Sequence, residues 1–132
     1  ANDVDVYFTD DSEGAWQKMK NSVKVSLYKP ELLKVHNIPQ DSEFDFRRYF
    51  TEYAMNKPEL MEQMKKAALK IPDDVARTAI GVGTPDDVIE MLDRFIMAGT
   101  NHFIIRFWGE GLYKNIETFG NKVVPYFKDR EK

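Results

Sequence analysis

The stretch from Arg77 to Gly111, RTAIGVGTPDDVIEMLDRFIMAGTNHFIIRFWGEG, constrains the fold more than any other part of this chain. Ala79-Ile80-Gly81-Val82 is an apolar run too short for a helix and bounded by glycine, so it reads as a strand. Thr84 offers an N-cap hydroxyl, and Pro85 suits the first helical position, where its missing N–H would have no partner. Asp86 and Asp87 set negative charge against the positive end of the helix dipole. Val88, Ile89, Leu92, Phe95 and Ile96 fall on one helical face, and Gly99 supplies a left-handed stop. His102 to Trp108 is nearly continuous apolar sequence, as expected of a strand covered on both faces. Strand, helix and strand in this order predict a βαβ unit with parallel strands and a right-handed crossover.

The remaining chain extends the pattern. Val4 to Phe8 reads as a first strand, and Thr9 to Glu13 as a helix start with Asp10 or Asp11 as cap. Ala15, Trp16, Met19, Val23 and Leu27 recur at helical spacing, with Val23 and Val25 weakening the helix towards its end. Pro30 and Pro58 each begin a further helix; the second carries Leu60, Met61, Met64, Ala67, Ala68 and Ile71, its methionines reading as core filling. Leu112 to Phe127 forms a last helix that Pro125 should kink or end. The order is β-α-(helical insert)-β-α-β-α, with residues 37–70 as the insert of a single domain spanning residues 1–132.

Composition removes several classes of function. Nineteen basic residues stand against twenty-two acidic ones without clustering, so the sequence makes no electrostatic case for nucleic acid. There is no cysteine, which excludes disulfides and thiolate chemistry and suits a reducing cytoplasm. No apolar run approaches the ~20 residues of a membrane span, so no membrane partner is expected. A start at Ala-Asn-Asp-Val, without Met and almost at once in a strand, suggests a piece of a longer protein.

Few residues carry chemistry. His36 and His102 lack the spaced partners of a metal site, and His102, opening a strand, reads as a hydrogen-bonded structural residue. No serine sits in a nucleophile elbow. Phe44, Phe46, Tyr49, Phe50 and Tyr53, beside Arg47 and Arg48, read either as a surface for a planar ligand or as an amphipathic helix burying its aromatics. Gly83 and Thr84 have the glycine-then-helix character of a phosphate cradle, but the P-loop lysine is missing and Asp86 and Asp87 repel phosphate, so capping is favoured. Arg106, Trp108 and Glu110 alternate at the end of the last strand, where ligands of α/β sheets gather. One reading gives Arg106 an anionic ligand and Trp108 a ring to wall; the other closes an Arg106–Glu110 ion pair over a packed Trp108.

Three segments together resemble a known family. Ala79 to Val88, Ala98 to Phe107 and Phe119 to Pro125 are similar to the C-terminal end of luciferase-like flavin- or F420-dependent oxidoreductases, the group that includes methylenetetrahydromethanopterin reductases and bacterial luciferase-type monooxygenases. The match is firm over Ile71 to Phe127 and thinner before it. The resemblance implies an α/β fold that is part of a TIM barrel, its last three β/α units. It further implies hydride transfer or monooxygenation with reduced flavin (FMN) or coenzyme F420, and a small-molecule substrate. By their position at the strand ends, Arg106, Trp108 and Glu110, with Gly83 and Thr84 as weaker candidates, are the candidate cofactor-binding residues. A complete barrel needs about 250 residues. This chain would therefore be a fragment, associating with itself as a homo-oligomer or with its missing N-terminal half. A module without catalysis, working through protein contacts, is the alternative.

Overall fold

The computed structural model describes residues 2–40 and 56–130. The aromatic cluster from Phe44 to Tyr53 lies outside them. The described elements are β1 (Asn2–Phe8), α1 (Ser12–Leu27), α2 (Pro30–Val35), α3 (Pro58–Ala68), α4 (Asp73–Arg77), β2 (Ile80–Gly83), α5 (Pro85–Met97), β3 (Phe103–Phe107), α6 (Leu112–Thr118), a π-helical turn (Phe119–Val123) and α7 (Val124–Arg130). The chain divides into two compact units, residues 1–18 with 77–132, and residues 19–76.

The first unit holds the sheet. Its three strands are parallel and ordered β2-β1-β3, with Asp5 opposite Ile80 and Phe8 opposite Gly83 on one side, and Asn2 opposite Phe103 and Val6 opposite Phe107 on the other. This order overturns the partial TIM barrel. Successive barrel units lay each strand beside its predecessor, so β2 would be the middle strand. Here β1 is central, α5 carries the chain past β1, and β3 pairs with β1 rather than with β2. The three strands among the described residues, with both edges open there, are too few to form a wall of a barrel; the topology is that of a small open α/β sheet.

One sheet face packs on α5. Val4 and Val6 from β1, Val88, Met91 and Leu92 from α5, and Val123 from the π turn are buried together, flanked by Phe8, Phe103, Ile105, Phe107, Phe119 and Phe127. Each such side chain contributes about 1.5–3 kcal/mol through removal from water. The α5 stop is a Schellman turn, with the Thr100 N–H donating to the Phe95 carbonyl and the Gly99 N–H to that of Ile96. β3 departs from its expectation. Among the described residues it pairs with β1 alone, and its burial alternates, Ile104 being 50% exposed, because the core covers the face of Phe103, Ile105 and Phe107 and not that of Ile104. Of the two readings of Pro125, a kink or an end, the helical run does not end: Pro125 sits in the first turn of α7, after a π turn in which the Val124 N–H donates to the Phe119 carbonyl. The wide turn loosens the helix where the proline ring needs room and where its N–H is missing.

The described residues of the second unit are mostly helical. Its buried side chains include Met19, Val23, Leu33, Leu60, Met64, Ala68 and Ile71. α1 keeps its helical form through Val23 and Val25, and Lys24, buried in this unit, pairs with Asp73 at the start of α4 at 2.5 Å.

Candidate functional site

In a parallel sheet the carboxyl ends of all strands share one edge, and the sequence candidates gather along it. Arg106 and Trp108 are on the face opposite α5. Strand alternation places both beside Asp5, which faces Arg106 in the register. Arg106 grips the Asp5 carboxylate with two nitrogens, Nε to Oδ1 at 3.0 Å and Nη2 to Oδ2 at 3.1 Å. The Trp108 indole N–H donates to Oδ1 at 2.9 Å. Trp108 is held further by its own N–H to the Val6 carbonyl and by the Asn115 amide to its carbonyl. Asp5 is only 4% exposed and Asn115 8%.

Arg106 therefore finds its anion inside the fold, and that anion is Asp5. Glu110 is not brought to it. β3 ends at Phe107, Gly109 turns the chain at φ 88°, and Glu110 lies exposed beyond the strand. Only glycine fits at 109, since a Cβ there would come within 2.4 Å of the Tyr7 ring. Asp5 escaped the sequence reading, although a lone acid between Val4 and Val6 and a lone base between Ile105 and Phe107 are complementary signals.

Gly83 and Thr84 lie at the same edge, after β2. Thr84 caps α5 through a reciprocal box: its N–H and hydroxyl donate to Asp87 Oδ2 at 2.7 and 2.9 Å, and its Oγ accepts from the Asp87 N–H at 3.4 Å. A Cβ on Gly83 would stand 2.3 Å from that Asp87 oxygen, so glycine is what lets the carboxylate fold back. At α1, Asp11 Oδ1 likewise accepts from the Gly14 N–H at 2.9 Å. His102 is exposed, and its carbonyl accepts from the Asn2 N–H.

Both FMN and F420 carry phosphate, which tests the fit of this edge. The three turns leaving it, residues 9–11, 84–87 and 108–111, contain five carboxylates and no basic residue. Side chains of the chain itself take the Gly14 N–H at the start of α1 and the Asp87 N–H at the start of α5, α6 has no side-chain cap, and Arg106 is taken by Asp5. These residues do not fit a phosphorylated cofactor. No group of three or more metal-ligating side chains occurs among the described residues.

The chain matches no family model, no curated protein and no solved structure. Among the described residues no helix is long and apolar enough to cross a membrane.

Proposed function

We propose that this chain acts through association with a second copy of itself, as an α/β module that does not complete a cofactor site alone. The open edge of β3 carries this reading. Ile104 is half exposed on that strand, and the helix packed after it exposes Leu112, Tyr113 and Ile116. An unpaired edge beside exposed apolar side chains is a template for another chain. Its free N–H and C=O groups supply a ladder, and the apolar side chains supply the burial. Sedimentation equilibrium across a concentration series tests it: the expected result is a dimer that dissociates on dilution, and a monomer at all concentrations overturns it.

A second reading is favoured by the three ordered segments from Ala79 to Pro125. In it, the assembled protein is a luciferase-like oxidoreductase using reduced flavin or F420, with the phosphate-binding residues supplied from outside this chain. Trp108, Gly83 and Thr84 would then border the pocket, and Arg106 would position Trp108 through Asp5 instead of touching the cofactor. Fluorescence titration with FMN and with F420 separates the readings. Binding by the isolated chain at micromolar concentration supports the oxidoreductase and contradicts the misfit at the acidic edge. The absence of cysteine accords with a cytoplasmic setting for either reading.

A further inference from the structure

On the α5 face of the sheet, β3, α5, the π turn and α7 enclose a groove of about 340 Å³. Ile96, Phe103, Ile105, Phe119 and Phe127 are among its walls, and Lys128 stands at its rim. We propose that this groove binds an apolar monocarboxylate of about ten carbons, the hydrocarbon lying on the phenylalanines and the carboxylate meeting Lys128.

Size sets the body of the ligand. At roughly 30 Å³ per water-sized group, the groove accepts about eleven such groups, which places it at the lower end of small-molecule sites. Its lining offers no side-chain hydrogen-bond partner except Lys128, so polar atoms inside it would go unmet. The walls are braced rather than free to collapse. Phe119 meets Phe107 edge-on at 5.6 Å, and Phe103 meets Phe95 edge-on at 6.3 Å. The π turn contributes Phe119 and Val123 to the same wall, so the widened helix forms part of the opening.

Charge sets the head. Lys128 makes no hydrogen bond or ion pair with a described residue. The acid on the facing helix, Asp93, is already held by Arg130 and Tyr126. One unpaired ammonium at the mouth of an apolar groove is complementary to a single carboxylate. A lipid surface, by contrast, is met by several clustered basic residues. The proposal is independent of self-association at β3, because Ile104 points to the opposite sheet face from Ile105 and the groove.

Calorimetry with hexanoate, octanoate, decanoate and dodecanoate tests it. Each buried methylene, at about 0.8 kcal/mol, should tighten binding about fourfold, with the gain ending near ten carbons where the groove is full. Ile96→Trp, at a position already 39% exposed, fills the groove without disturbing the core and should abolish binding with the circular dichroism spectrum unchanged. Lys128→Glu should weaken decanoate about fivefold to tenfold, in keeping with an exposed charge pair, and leave 1-decanol unaffected. Four results overturn the proposal. One is no saturable one-to-one binding of decanoate at millimolar concentration. Another is affinity that keeps climbing about fourfold per methylene from decanoate to dodecanoate. A third is binding to phosphatidylglycerol vesicles without binding of decanoate. The last is loss of a dimer in Ile96→Trp with no decanoate effect, which would assign the groove to a second copy.

Discussion

Asp5 is a carboxylate withdrawn from water in the middle strand of the sheet, and its three donors come from Arg106 on β3 and from Trp108 just after it. Its partner Arg106 is 47% exposed along its side chain, whereas the Asp5 side chain is 6% exposed, so the two ends of the pair are not equivalent. Water weakens the attraction at the arginine end. What Arg106 chiefly does is keep the buried carboxylate from being stranded. Arg106→Leu should therefore cost about 3 kcal/mol in urea unfolding, in the range for breaking a buried pair from one side. Removing both charges in Asp5→Leu/Arg106→Leu should recover most of that loss, leaving about 1 kcal/mol for the unmet Trp108 indole. An arginine held in reserve for an anionic ligand would behave oppositely, its loss leaving stability unchanged. Gly109→Ala is the companion test of how Trp108 is aimed. It combines a positive φ with a Cβ 2.4 Å from Tyr7, and should cost about 2–4 kcal/mol by overpacking and backbone strain.

Elements whose signals are local were the most legible. Thr84-Pro85-Asp86-Asp87 states a helix start within four residues, and the structure has the cap, the proline and both acids in place. Thr84→Ala should lower stability by about 1 kcal/mol in thermal unfolding, because the Asp87 N–H loses its acceptor and the Asp87 carboxylate loses a donor. The Gly99 stop and the helices begun by Pro30 and Pro58 were legible for the same reason. Two elements read less well. The apolar run from His102 to Trp108 suggests cover on both faces, but hydrophobicity along a strand does not say whether an element packs on each of them. Pro125 reads as a kink or an end, and of the two the helical run does not end: one wide turn absorbs the missing donor and the helix continues to Arg130. Sequence spacing at 3.6 residues per turn has no mark for a π turn.

At the scale of the whole molecule, the strand order is what sequence spacing left open. Three βα segments in succession are compatible with β2 beside β3 or with β1 between them, because the choice rests on pairings across about a hundred residues: Asp5 lies opposite Arg106, and the Asn2 side chain bonds to Thr100. The same distance hid the partner of Arg106. The order that results gives this sheet two edges, and β3 is the one flanked by exposed apolar side chains. Ile104→Lys tests what that edge is for. The side chain is already half in water, so a lysine there can extend into solvent and should cost the monomer less than about 0.5 kcal/mol. Across a β3-mediated contact the same ammonium would be drawn out of water and set against another copy's apolar residues, the device by which edge strands are kept apart. The expected outcome in sedimentation equilibrium is a shift from dimer to monomer with an unchanged melting temperature at low protein concentration. A dimer that survives Ile104→Lys would remove β3 from the interface, and a variant that loses its melting transition would show that Ile104 serves the fold of the chain itself.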